Sequence, residues 1–287
     1  MIRVKRGPEP RELQQARDKG LKKAVDAFNQ HGAWNDAIKQ ALTGYQVARK
    51  HLFKAQHEKC AYCEQRLRLA ELPTEHFRPK AEAKRGFPGA PGLVEAGYWW
   101  LAWSWNNLFF ACATCNSQAN KGNWFPLEPG SAALSPPAHA VGWPLPHALF
   151  NLSQESPTLL DPGDPKEEDP LDHLRWVPVD RGQPTKHWAW ALKKLSSRGR
   201  VTARILGLDL LADRMSDVFK PLWDRFARDV LAPSNERVAL SAWAKLSDEV
   251  ARPEEEFAGA KWSMLDSLRT SSPRAKALNL PTTMRPS

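Results

Sequence analysis

With 287 residues, 42% hydrophobic and 25% charged, the chain has the composition of a globular protein of one large or two modest domains, not of a disordered polypeptide. A formal net charge of +9 favours a polyanionic partner, although charge alone leaves nucleic acid, an anionic membrane and an acidic protein open. The most apolar stretch, 98–113, is broken by Ser104, Asn106 and Asn107 and is too short to span a bilayer. The charged N-terminus lacks a signal peptide's apolar segment, so a cytoplasmic protein with no membrane partner is expected.

Residues 9–30 predict a basic helix with Leu13, Leu21, Ala24, Val25 and Phe28 near one face, weakened by Gly20. A stronger helix is predicted over 35–57. There Ile38, Leu42, Tyr45, Ala48, Leu52 and Phe53 recur every three or four residues behind an Asn35 or Asp36 cap.

All four cysteines follow, as Cys60-Ala61-Tyr62-Cys63 and Cys112-Ala113-Thr114-Cys115. Two residues between cysteines let a tight turn aim both thiolates at one ion, and two such pairs supply the ligands of a tetrahedral structural zinc. No cysteine lies outside the pairs and no export segment is visible, which argues against disulfides. The 48 residues between the knuckles exceed what a compact zinc ribbon needs. They hold an extended segment over 71–78 that carries Glu75-His76 and is stopped by Pro79. Next come a loop at 86–97 with four glycines and two prolines, a Trp-rich stretch over 98–105 expected as a short helix, and a strand-length apolar run at 106–111. Asn116 begins a polar stretch able to open a helix.

Beyond Leu127, residues 128–147 read as a Pro-rich connector, and the acidic 159–170 segment as solvated turns without calcium-loop spacing. Asp172-His173 reads as structural, 174–179 as a strand, and Asp180-Arg181-Gly182 as a turn. The remainder is helical. A segment ends at Gly207, a long helix starting at Asp209 is kinked at Pro221, helices lie near 235–250 and 254–269, and the tail from Thr270 reads as loose. Most of the 13 tryptophans are expected in cores.

The order knuckle, strand with Glu75-His76, strand, knuckle, Asn116 resembles the HNH (ββα-metal) endonucleases with a four-cysteine zinc. "CAYCE", "EHFRPK", "YWWLAWSWNNLFFACATCNSQANKGNWFPL" and "LLDPGDPKEEDPLDHL" resemble the PtuB-like HNH subunits of Septu and retron-associated anti-phage systems. The resemblance implies an α+β, predominantly helical protein with an embedded zinc-stapled ββα-metal core. Its parts are a helical segment at 1–57, the core with its zinc site at 58–127, a connector with a short hairpin at 128–190, and a helical domain at 191–287. It implies His76 as general base and Glu75 with Asn116 as oxygen ligands of magnesium or manganese. Asn107, directly before Leu108, would fix the loop carrying the base. The family commonly has Asp where this chain has Glu75.

Arg78, Lys80, Lys84, Arg85 and Lys121 are the expected phosphate contacts. The implied activity is hydrolysis of nucleic acid, with DNA favoured, leaving a 5′-phosphate, and the implied partner is an ABC/SMC-like ATPase. An RNA-cleaving toxin and a non-catalytic zinc module that binds nucleic acid remain the competing readings.

Overall fold

A computed structural model describes residues 1–71, 74–90, 92–179 and 190–286. The expected turn at Asp180-Arg181-Gly182 lies outside them. The architecture is α+β and mainly helical, with three short two-stranded antiparallel sheets among the described residues.

Helix α1 (Arg11–His31) buries Leu13, Leu21, Ala24, Val25 and Phe28 as the periodicity requires, and closes on Gly32 in the left-handed conformation. Gly20 does more than weaken it. A Cβ there would lie 2.3 Å from Trp103 Cζ2, so the bare backbone is the surface on which that indole packs. The long helix expected over 35–57 is divided. Helix α2 (Asp36–Ala41) is capped by Asn35, and α3 (Arg49–Ala55) follows a 3₁₀ turn at Tyr45–Ala48. The break falls at Thr43-Gly44, where Gly44 adopts φ 85° and Trp103 Nε1 donates to the freed Thr43 carbonyl at 2.9 Å.

Strand β1 (Thr74–His76) is shorter than the extended segment expected and follows a 3₁₀ turn at Leu69–Glu71. The sheet β2 (Glu82–Lys84) with β3 (Val94–Ala96) lies beside it, the latter strand arising inside the expected loop. The Trp-rich stretch forms two 3₁₀ turns, Trp99–Leu101 and Trp105–Asn107, and leads into β4 (Leu108–Phe110). Strand β4 pairs antiparallel with β1, setting Glu75 opposite Phe109 and His76 opposite Leu108.

A short helix α4 (Pro170–His173) runs into β5 (Leu174–Pro178), which pairs with β6 (Trp190–Lys194). The helical remainder is α5 (Ser197–Leu206), α6 (Ala212–Arg225) running into a π-helical turn at Phe226–Leu231, α7 (Glu236–Val250), α8 (Ala258–Ser271) and α9 (Pro273–Ala277). Asp209 lies in a 3₁₀ turn ahead of α6 rather than opening it. The tail beyond Thr270 is not loose. Trp243 Nε1 donates to Pro281 O at 3.0 Å and Trp262 Nε1 to Thr283 O at 3.1 Å, and Leu278 and Leu280 are buried. Nor is the acidic segment wholly solvated, since Asp161 is buried.

Long-range contacts brace the knuckle region. Arg6 Nε donates to Leu108 O at 3.2 Å while its guanidinium lies 4.0 Å from the Phe109 ring centroid. Next to the first knuckle, Glu64 accepts from Gly259 N at 2.9 Å, and buried Lys59 donates to the carbonyls of Pro253 and Glu255.

Candidate active site and metal centre

The two Cys-x-x-Cys turns meet. Their four sulfurs lie within 4.8 Å of one another and all four residues are buried. Cys63 Sγ and Cys112 Sγ are 3.8 Å apart, far too long for a disulfide. Four Zn–S bonds of about 2.3 Å in a tetrahedron would set sulfurs about 3.8 Å apart, so the donors and their spacing fit zinc. Backbone N–H groups point at the sulfurs, Cys112 N to Cys60 Sγ and Cys115 N to Cys112 Sγ, both at 3.3 Å. Hydrogen bonds from Cys115, then Cys60 and Cys63, push the Cys112 thiol far below its ordinary range, and the same bonds to Cys112 push Cys63 and Cys115 well above theirs, so the metal-free cluster gathers its charge on Cys112. The first knuckle is tied to β4 by Ala61 N to Phe110 O at 3.0 Å.

Strand β1 carries Glu75 and His76, both buried. His76 Nε2 lies 3.0 Å from Ala102 O. A carbonyl can only accept, so Nε2 carries the hydrogen and Nδ1 keeps the lone pair. Burial, and then the charges of Lys80 and Lys121, lower the His76 pKa to about 3, so the ring is neutral at cellular pH. The edge of Tyr45 packs against the ring, with centroids 4.6 Å apart and planes at 74°.

Burial raises the Glu75 pKa, and the ammonium of Lys121 opposes that shift. Lys121 Nζ lies 2.8 Å from Glu75 Oε1, a buried ion pair. Lys121 Nζ also donates to His76 O at 2.9 Å.

Asn107 is fully buried and clasps the segment that follows His76. Its Oδ1 accepts from Arg78 N at 2.7 Å, and its Nδ2 donates to Arg78 O at 3.1 Å and to Leu101 O at 3.3 Å. Asn116 directly follows the second knuckle but opens no helix. Turns run over 113–123, and the Asn120 N–H that a helix opened at Asn116 would bond to the Asn116 carbonyl goes to Ser117 O at 3.1 Å. Asn116 is half-buried, and its backbone N–H donates to Cys112 O at 3.0 Å.

Two of the five expected phosphate contacts are turned inward. Lys121 is 0% exposed and engaged as described, and Arg78 is 4% exposed with Nε 2.6 Å from Glu155 Oε1. Each completes a buried ion pair with an acid that would otherwise be stranded. Lys80, Lys84 and Arg85 remain half-buried at the surface. Lys80 Nζ donates to Tyr45 Oη at 3.2 Å, Lys84 lies 3.7 Å from Glu82, and Arg85 joins Glu95 at 2.6 Å and Tyr98 Oη at 3.1 Å.

Tyr45 and Glu155 escaped the reading by motif. Tyr45 is indistinguishable by spacing from a core residue of its helix, and Glu155 lies 77 positions from Arg78 in a segment without pattern. The acid–histidine doublet at Asp172-His173 stands apart. Its His173 Nδ1 is 2.6 Å from Ser196 Oγ, which also caps α5 by accepting from Gly199 N.

No family model and no solved structure matches the chain. A stretch of 119 residues, 41% of this chain, is 37% identical to the Septu protein PtuB of Bacillus mycoides (strain KBAB4). It covers 34% of that protein's length. Over that stretch the chain is a PtuB-like relative, spanning about a third of the protein it matches.

Proposed function

We propose that this chain is an HNH-type, metal-dependent endonuclease that hydrolyses phosphodiester bonds, DNA in preference, as the nuclease of a Septu-like anti-phage system. The observation that carries this reading is Glu75-His76 on β1, clasped by Asn107 and paired with β4, which leads into the second turn of a four-cysteine cluster that Asn116 directly follows. Similarity to a protein named for Septu supports the defence role and a multi-component setting, for which an ABC/SMC-like ATPase is the proposed partner. Among the described residues no helix is long and apolar enough to cross a membrane.

In this reading His76 Nδ1 accepts the proton of the attacking water, while Nε2–H, held by Ala102 O, fixes the ring's tautomer and direction. Asn107 fixes the backbone just beyond the histidine. The ammonium of Lys121 opposes the upward shift that burial gives the Glu75 carboxyl. Magnesium or manganese, held by oxygens of Glu75 and Asn116, would neutralise charge on the phosphate and on the departing oxygen. Lys80, Lys84 and Arg85 at the surface receive the flanking backbone. A second reading, a non-catalytic zinc module, draws on the burial of Glu75 and His76, which closes the pair from solvent.

The test offers the chain plasmid DNA, phage DNA and total RNA with magnesium or manganese, with and without the proposed ATPase partner. Cleavage of DNA that drops roughly 10²- to 10⁴-fold in His76→Ala is expected, with binding little changed. Equal cutting by the variant removes His76 from the mechanism. Cutting of RNA alone selects the toxin, and no cutting under any condition selects the binding module.

A further inference from the structure

A groove of about 540 Å³ lies between the π-helical turn and α7, remote in sequence from the knuckles. Its lining is cationic, with Arg225, Arg228, Arg237 and Lys245 against the single acid Asp229. Arg237, Ser241 and Lys245 stand four residues apart on one face of α7. At 1.5 Å of rise per residue, they present a donor about every 6 Å along the groove. Across from them, Arg225 is held by Glu249 at 2.9 Å, and Arg228 by both oxygens of Asp229 at 2.7 and 3.0 Å. Arg237 and Lys245 are exposed, and among the described residues neither forms an ion pair.

The backbone places these groups. Helix α6 gives way to the π turn Phe226–Leu231, where Ala232 N donates to Ala227 O at 3.0 Å, five residues back. A π turn carries more residues per revolution than an α turn, so it rotates the downstream residues about the axis. Such turns recur where a helix has been bent to serve a site. Here it turns Arg228 into the same groove as Arg225 and faces both toward α7.

We propose that this groove is a second nucleic-acid site, which grips a run of backbone phosphates away from the reacting bond. A row of evenly stepped donors, a hydroxyl between two cations, matches a chain of repeating anions. The planar guanidinium forks suit phosphate oxygens, and the chain's net charge of +9 draws in the same kind of ligand. Such a groove extends the nuclease reading to how substrate is held, yet binding here is measurable whether or not the chain cuts.

The experiment titrates the full chain, without added magnesium or manganese, into a labelled 30-nucleotide strand and a 30-base-pair duplex across a range of salt. Arg237→Ala/Lys245→Ala is compared with Lys22→Ala/Lys23→Ala, which removes the same charge from an exposed face of α1. The groove variant is expected to lower the slope of log affinity against log salt by about 1.4 on the strand and about 1.8 on the duplex. The α1 variant should leave both slopes nearly unchanged. In the wild type, bound nucleic acid should shield Lys245 from acetylation, a readout that does not depend on any variant folding. Equal slope changes in the two variants, unchanged slopes, or an unshielded Lys245 overturn the proposal. So does a groove variant that binds nucleic acid normally but no longer captures an acidic protein partner. Groove-dependent binding by a chain that cuts nothing when magnesium or manganese is then supplied would sink the nuclease reading and leave the groove standing.

Discussion

A buried carboxylate beside a buried ammonium is stable only as a pair, so the fates of Glu75 and Lys121 are linked. Lys121→Met strips buried Glu75 of the ammonium that opposes its upward shift, and a loss of about 3–5 kcal/mol in urea unfolding is expected. Adding Glu75→Gln to that variant should recover most of the loss. A single variant as stable as the wild type would show that the pair contributes nothing. The histidines set a pH dependence whose sign can be worked out. Burial lowers the pKa of His76 to about 3, and also lowers that of His173 below its ordinary value. Unfolded, both titrate near about 6.5. Below that pH the unfolded chain binds protons that the folded chain refuses, so stability is full above about 6.5 and declines as pH falls toward the folded values. Melting temperature against pH for the wild type and His173→Asn tests this, with a shallower acid limb expected in the variant.

At the scale of elements, what the sequence made legible and what it hid separate by range. The Cys-x-x-Cys turns, the Asn35 cap and the Gly207 stop are local devices, each written within a few residues, and each sits where spacing put it. Asn107 was legible because its partners, Arg78 and Leu101, belong to the motif that surrounds it. Lys121 and Arg78 misled because a lysine or arginine in a polar stretch looks solvated until its distant acid is known. The break in the helix over 35–57 was written at Gly44, but the apolar rhythm runs through it unchanged. Asn116 misled because a residue fit to cap a helix caps nothing when the amides that follow it close tighter turns. Gly20 was read as a weak point and is a contact surface, which yields a test. Gly20→Ala should lose about 1–3 kcal/mol by colliding with Trp103, while Gly142→Ala, with open space around it, should change stability by less than about 0.5 kcal/mol in thermal melts.

For the whole molecule, the cysteine cluster joins segments 49 positions apart, and the sheet carrying Glu75 and His76 hangs from it through Ala61 and Phe110. One zinc per chain by elemental analysis is expected. Cys63→Ser should lose the metal together with cooperative unfolding, since binding energy in such a centre is folding energy. Full zinc occupancy in that variant, or an unchanged melt without metal, would detach the cluster from the fold.

Lys59 and Glu64, on either side of the first knuckle, pair with each other, and Glu64 also pairs with the Met1 ammonium, but residues 253–259 supply the carbonyls and the N–H that complete them. Ribosomes release a chain from its first residue onward. The lysine and the carboxylate therefore wait, incompletely matched, through nearly two hundred further peptide bonds. A nascent protein of this design stays unfinished around its cysteines until residues 253–259 have been made, which sets a pause between manufacture and readiness.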